Sequence, residues 1–241
     1  MNKIMIRLAE RLIEINGEDS SFEKFCSDYI VPAVPGSQAD ITVDIKKEDI
    51  EYERARAVSG PFSDSYLAML AIYRQICEQM PFFDTFLIHG SSPAVDGTAY
   101  LFAAKSGVGK STHSALWAQL FGSRLQMIND DKPLIRADGK CSVIYGTPWD
   151  GKHRRSTNTC APLKAICFIH RSEDNHINEI SISEAMPLLL RQVYRPKDPA
   201  ALAITLDLLD RLCSNVRFYS LGCNMDPEAA VISYEGMNLI S

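Results

Sequence analysis

The nine residues Ala104–Thr112, A-K-S-G-V-G-K-S-T, constrain this chain more than any other stretch. They follow an apolar run, Thr98–Ala103, and precede a helix-like segment, His113–Phe121. Strand, glycine turn, Gly-Lys-Ser and helix, in that order, form the context a phosphate-binding loop needs. Gly107 and Gly109 let the backbone bend so that successive N–H groups point into one concavity. The helix start behind them adds free N–H groups and the positive end of its dipole. Ser106, Gly107, Val108, Gly109, Lys110, Ser111 and Thr112 are therefore expected to hold nucleotide phosphates. Lys110 reaches the β- and γ-phosphates in such a loop, and the Ser111 hydroxyl is placed to ligate Mg²⁺. The usual pattern opens with Gly. Ala104 stands there instead, so the turn must begin at a negative φ.

A chain of 241 residues is enough for one large domain, or one domain with a small appendage. A small N-terminal α+β part, residues 1–60, and a nucleotide-binding domain, residues 61–241, are expected. A net charge of −5 and the lack of a basic stripe argue against a nucleic-acid partner. No uninterrupted apolar stretch approaches membrane-spanning length, and the N-terminus has no signal-peptide apolar region. No membrane association and a cytoplasmic location are expected. The seven cysteines form no Cys-x-x-Cys pair and read mostly as buried thiols. The five histidines form no His-Glu-x-x-His pair, so a zinc hydrolase is not supported.

Ile4–Leu8, Arg11–Ile15 and Ile41–Ile45 alternate as half-buried strands do, with Asn16-Gly17 as a turn. Ser20 or Ser21 caps a short helix to about Tyr29, and residues 32–36 read as a loop. Ser63 or Asp64 caps a long amphipathic helix that Pro81 ends. Phe86-Leu-Ile-His-Gly90 is a short strand stopping on a histidine. Asp96-Gly97 is a hairpin turn, whose geometry can bring His89 towards the phosphate end of the sheet. Leu125–Ile128 is a strand ending in Asn129-Asp130-Asp131-Lys132. Taken alone, that ending is a solvated turn. One helix and one strand after a phosphate loop, its carboxylates read as Mg²⁺ ligand and proton acceptor.

Asp138-Gly139 is a further hairpin turn. Residues 146–159 are polar and glycine-bearing, with Trp149 and a basic cluster of Lys152, His153, Arg154 and Arg155. Arg154 and Arg155 are candidates for stabilising charge on a transferred phosphoryl group; a solvated surface loop is the plainer reading. Lys164–Ile169 and Val216–Leu221 read as strands. Glu184–Tyr194, Pro199–Leu212 and a segment opening at Asp226-Pro227 read as helices. The basic run Tyr194-Arg195-Pro196-Lys197 reads as a solvated helix end.

The run from His89 to Asp131 resembles the kinase domain of HPr kinase/phosphorylase. It shares that family's His-Gly at a strand end, the Ser-Gly-Val-Gly-Lys-Ser loop, and the following Asp-Asp. The resemblance implies an α/β fold with a mixed sheet and P-loop, of the type that family shares with phosphoenolpyruvate carboxykinase. It implies Asp130 as the base that takes the acceptor hydroxyl's proton. Asp131 would assist at the metal or orient His89, and His89 would lie near the γ-phosphate or bond to the acidic pair. The family's Glu-x-Arg-Gly-Leu-Gly signature is absent, and Gly-Thr-Pro-Trp-Asp150-Gly stands in roughly its place. Asp150 is the candidate to replace the missing Glu as a metal ligand. No HPr-docking C-terminal helix is recognisable, which disfavours HPr as the acceptor. Related kinases oligomerise, and a homo-oligomer follows only by that analogy.

Two functions follow. The first is an ATP- and Mg²⁺-dependent kinase acting on a hydroxyl, of a serine in a peptide or protein or of a small metabolite. The second is an ATP-binding sensor or scaffold that transfers nothing. No Asn-Lys-x-Asp motif supports a GTPase, and no Leu-Ser-Gly-Gly-Gln stretch supports a transporter ATPase.

Overall fold

The structure, a computed structural model, describes residues 2–17, 21–32, 36, 38–57, 60–151 and 154–239. In chain order the elements are β1 (Asn2–Leu8), β2 (Arg11–Gly17), α1 (Ser21–Phe25), β3 (Ile41–Asp44), α2 (Lys47–Arg56) and α3 (Asp64–Gln79). Next come β4 (Thr85–Leu87), β5 (Ser92–Val95), β6 (Thr98–Ala103), α4 (Lys110–Phe121), β7 (Leu125–Asn129), β8 (Leu134–Ala137) and β9 (Ser142–Tyr145). The chain ends with β10 (Cys160–Arg171), β11 (His176–Glu179), α5 (Ile182–Leu189), α6 (Pro199–Asn215), β12 (Arg217–Cys223) and α7 (Glu228–Asn238).

The fold is mixed α/β. A nine-stranded sheet runs β4-β8-β9-β10-β6-β5-β7, with β12 joined to β10 and β11 to β12. β10 lies parallel to both β6 and β12; the remaining pairs of this sheet are antiparallel. Side chains alternate along β6. Ala99, Leu101 and Ala103 face a core closed by Leu189 of α5 and Leu208, Leu209 and Leu212 of α6. Tyr100 and Phe102 face a second core closed by Trp117 of α4 and Ala229, Ala230 and Met237 of α7. A strand apolar on both faces belongs in the middle layer, between helices. Three-stranded β1-β2-β3 forms a separate sheet. Its core is shared with Ile72, Tyr73 and Ile76 of α3 and with Leu87, Leu134, Tyr145 and Trp149.

Several local expectations change. Asn16 and Gly17 continue β2, and the reversal sits at Ala9 and Glu10, with φ of 46° and 68°. Two non-glycine residues at positive φ carry no turn signature in sequence. The helix expected over Ser21–Tyr29 is α1 followed by a 3-10 turn, Ser27–Tyr29. Ser20 and residues 33–35 of the expected loop lie outside the described residues. The helix expected over Glu184–Tyr194 ends at Leu189, because Gln192 and Tyr194 bond instead to His89 and Leu87. Ser63 caps α3 by accepting from the Tyr66 N–H, and Asp198 caps α6 by accepting from the Ala201 N–H. Five cysteines are buried; Cys141 and Cys160 are exposed. Among the described residues no helix is long and apolar enough to cross a membrane.

His113 shows how α4 is fixed from below. The Ser233 hydroxyl donates to the Ala230 carbonyl (3.0 Å) and accepts from Trp117 Nε1 (2.8 Å). His113 Nε2, 3.0 Å from the same oxygen, is therefore the protonated nitrogen. Its Nδ1 is buried with no partner. Protonating it would place an unpaired charge in the core, and burial lowers the His113 pKa from 6.5 to about 4. The unfolded chain binds that proton near pH 6.5 and the folded one does not, so stability falls as pH drops from 6.5 towards 4. At about 1.36 kcal/mol per pH unit the loss is roughly 3 kcal/mol. Urea midpoints should fall across this range in the native protein. In His113→Gln the acid slope should be visibly shallower.

Candidate functional site

The strand pairings bring one set of chain ends to one edge. β6 and β7 each run antiparallel to β5, and β6, β10 and β12 run parallel. The C-terminal ends of β6, β7, β10 and β12 therefore share an edge with the start of β5. Loop 104–109, Asn129–Lys132, Arg171, Cys223 and the His89–Ser92 segment all sit there. Such an edge is where open α/β sheets bind ligands.

Loop 104–109 links β6 to α4 with Gly107 at φ 78° and Gly109 at φ 131°. Both angles strain any residue with a Cβ, and the space a Cβ would take at either is open. Ala104 is buried and its carbonyl accepts from Lys110 Nζ at 3.0 Å. Arg171 Nη2 donates to the Gly107 carbonyl at 2.7 Å, pinning the loop to the end of β10. Gly109 caps α4 without any side-chain bond, and no acidic residue stands in the first turn. The first N–H groups are thus left for an anion. Ser106, Ser111 and Thr112 are exposed; Val108, Gly109 and Lys110 are half-buried. Desolvation lowers the Lys110 pKa, and Asp131 and Asp130 pull it partly back. The lysine therefore lies within electrostatic reach of both carboxylates.

Asp130 is 5% exposed and held on several sides. Ser114 and Ser91 hydroxyls lie 2.7 Å apart, and Ser91 Oγ donates to Asp130 Oδ1 at 2.6 Å. The Asp130 N–H faces Asp150 Oδ1 (3.2 Å) and Ser156 Oγ (3.3 Å). Asp131 is half-buried and pairs with Lys132 at 3.1 Å. Its carbonyl accepts from the Gly90 N–H at 3.0 Å, which ties the acidic turn to the histidine strand end. Gly90 packs closely there: a Cβ would meet Leu101 Cδ1 at 2.5 Å and the Phe102 carbonyl oxygen at 3.0 Å. His89 keeps an open face. Desolvation chiefly lowers its pKa, Asp131 opposes this, and Lys132 and Lys110 add to it. His89, Lys110 and the acidic pair are thus gathered in one place.

Asp150 has another task in this structure. Its Oδ1 accepts from Gly151 N–H (2.5 Å) and its Oδ2 from Ser156 N–H (2.8 Å), so the carboxylate draws Gly151 and Ser156 together beside Asp130. Among the described residues no three His, Cys, Asp or Glu side chains form a metal-holding group. Arg154 and Arg155 are exposed, and the Arg154 guanidinium lies over the Phe25 ring, 5.6 Å from its centre. Lys152 and His153 lie outside the described residues. Trp149 is buried, stacks on Tyr73 at 4.1 Å, and donates from Nε1 to the Met69 carbonyl at 2.8 Å. It anchors the loop rather than facing solvent.

The residue that the sequence reading passes over is Asn129, fully buried at the end of β7. Its Oδ1 accepts from the N–H groups of Asp131 (2.8 Å) and Lys132 (2.6 Å). Its Nδ2 donates to the Thr147 carbonyl (3.1 Å) and contacts the Thr147 hydroxyl (3.1 Å). Thr147 in turn donates to the Lys132 carbonyl at 2.9 Å. One amide therefore shapes the acidic turn and ties it to loop 146–159. Ser91 and Arg171 are also missed, since neither falls in a motif. A cleft of about 440 Å³ runs beside the loop, walled by Val108, Ile169, Cys223 and Met225, with Arg171 and Asn224 on its polar side.

No protein-family model matches this chain, and no curated protein matches it. Among solved structures it is similar to the HPr(Ser) kinase/phosphatase from Coxiella burnetii, with 14% identity and a TM-score of 0.27, covering 52% of this chain and 90% of that one. A likeness at that level carries no argument about function.

Asn129→Ala strands buried partners on both sides of the turn. It should cost roughly 2–4 kcal/mol in urea unfolding. Amide exchange at Asp131 and Lys132 should rise more than at Ile128. Equal exchange at all three positions would mean that the amide does not hold the turn.

Proposed function

We propose that this protein is an ATP- and Mg²⁺-dependent kinase that moves a γ-phosphoryl group to a hydroxyl. One observation carries the reading: the glycine loop, Lys110, Asp130, Asp131 and His89 meet at one sheet edge. The loop fits phosphate on its own chemistry, with positive-φ glycines, uncapped N–H groups and a lysine beside them. Lys110 exchanges its bond to the Ala104 carbonyl for the β- and γ-phosphates. The apolar wall of Val108, Ile169 and Met225 takes the base. Mg²⁺ neutralises phosphate charge when bound, and Ser111 and Asp131 would hold it. Two protein ligands suit a cation that keeps several waters.

Asp130 takes the acceptor proton in this reading. Ser91 occupies one of its oxygens and fixes the carboxylate's orientation. The other oxygen, Oδ2, lies on the Gly151 side, 3.2 Å from where a Cβ on that residue would stand. Asp131 and Lys132 form a neutralised pair beside it. For Arg154 to act on a phosphoryl group it would leave the Phe25 ring, and Arg155 is exposed. Catalysis is then mainly positioning and electrostatic stabilisation.

The burial of Asp130 supports a second reading, an ATP-binding sensor or scaffold without transfer. A sensor does not need a base within reach of an incoming hydroxyl, and a kinase does. Calorimetric titration of Mg-ATP should show binding to the native protein and a loss of about tenfold or more in Lys110→Ala. Asp130→Asn should keep ATP affinity within several-fold. Its transfer of labelled phosphate to a hydroxyl acceptor from extract should fall by about 10²–10⁴-fold. Binding without any labelled acceptor would favour the sensor. Equal ATP affinities in native protein and Lys110→Ala would remove both readings.

A further inference from the structure

A second cleft, of about 380 Å³, has His89 in its wall. Its floor is apolar, built from Leu70, Tyr73, Cys77 and Leu87. Its rim is cationic. Arg56, Arg74, Lys132, Arg195 and Lys197 line it with His89, against the single carboxylate of Glu53. Two of these cations are already neutralised. Arg74 bonds Glu53 (2.5 Å) and Asp49 (3.0 Å), and Lys132 pairs with Asp131 (3.1 Å). Arg56, Arg195 and Lys197 have no carboxylate partner among the described residues. Arg56 and Lys197 lie over one ring, that of Tyr52, at 5.3 and 3.8 Å from its centre.

The fold holds these cations in place. The Tyr194 N–H donates to the Leu87 carbonyl (2.9 Å), and the His89 N–H to the Gln192 carbonyl (2.8 Å). Glu78 of α3 accepts from the Tyr194 hydroxyl (2.6 Å) and the Lys197 N–H (2.8 Å). Buried Pro196 lies between the exposed side chains of Arg195 and Lys197. The segment is therefore clamped beside His89 and is not a fraying helix end. In a protein of net charge −5, composition does not account for three unpaired cations around one concavity. Low-dielectric walls concentrate the field of such a cluster on an anion. The volume lies at the lower end of the small-molecule range, about 300–1,000 Å³.

We propose that this cleft binds a small hydroxylated anion, whose carboxylate or phosphate is held by Arg56, Arg195 and Lys197 and whose hydroxyl is turned past His89 towards Asp130. The assignment of that anion as phosphoryl acceptor rests on the kinase reading above. In that reaction the acceptor oxygen bonds to the γ-phosphorus, and the bond from the γ-phosphorus to its bridging oxygen breaks. The hydroxyl proton passes to Asp130, and ADP leaves.

The test uses the full chain at constant ionic strength. Glycerol 3-phosphate and glycerate are titrated separately while the thermal unfolding midpoint is followed, with glycerol as the neutral control. At least one anion should raise the midpoint saturably, and glycerol should not. The stronger of the two identifies phosphate or carboxylate as the recognised group. Arg56→Gln combined with Arg195→Gln should weaken the response about tenfold or more, with unliganded midpoint and ATP affinity unchanged. Lys110→Ala should keep the response, because the anion is not on the phosphate loop. The proposal is overturned if neither anion acts, if glycerol acts as well, if the double variant responds as the native protein does, or if Lys110→Ala abolishes the response. A native protein that responds to the anions yet fails to bind ATP would remove the kinase reading and leave the anion site standing.

Discussion

The parallel ladder between β6 and β10 is the constraint on which the rest depends. Phe168 lies opposite Ala103, so β10 runs on past the point where β6 gives way to the glycine loop. That offset puts Arg171 beside the loop, and its guanidinium holds the Gly107 carbonyl. β6 and residues Ala165–Ile169 of β10 are buried on both faces, between α5 and α6 on one side and α4 and α7 on the other. Sliding the ladder by one residue would exchange the two faces, placing Tyr100 and Phe102 where Ala99, Leu101 and Ala103 pack. β10 also turns the sheet over to antiparallel pairing at its start, where Cys160–Pro162 meet β9. A single twelve-residue strand thus joins the loop's half of the sheet to the half carrying loop 146–159.

Around that edge the molecule concentrates buried polar groups that a core otherwise avoids. Asp130, Asn129, Ser91, Ser114 and Thr147 are all buried, and each has partners. Such a network is stable only when every member is satisfied, and then it fixes one geometry. Asn129 makes this concrete. Its carbonyl oxygen serves two N–H groups of the acidic turn, and its amide serves Thr147 across the gap. Asp150 does the equivalent for the far side of the loop. Asp130 is then held by its own backbone and by Ser91. Gly146 completes the closure, since a Cβ there would meet the Thr157 carbonyl oxygen at 2.0 Å.

Sequence and structure part company where a residue's partner is distant in the chain. α2 buries no side chain, so no apolar period marks it. β11 is short and mostly exposed, which removes the alternation that would reveal it. Trp149 sits in a polar stretch, yet packs against Tyr73, Phe22 and Phe25 from elements far upstream. Arg195 and Lys197 look like a basic helix end because the bonds of their segment run to Leu87, His89 and Glu78, more than a hundred residues away in the chain.

What the sequence by itself determined is local and periodic. The glycine loop, the Asp96-Gly97 turn, the caps at Ser63 and Asp198, and the apolar strands β6 and β10 depend on residues within a few positions of one another. Backbone sterics, short-range hydrogen bonds and periodicity suffice for these. Tertiary structure alone decided which ends of those elements share an edge, and so which charges face each other. It set Lys110 near Asp130 and Asp131, buried Trp149, engaged Asp150 with backbone N–H groups, and gathered Arg56, Arg195 and Lys197 round one cleft. The physical reason is that burial and field strength depend on distance in space, and strand order rather than chain order sets that distance.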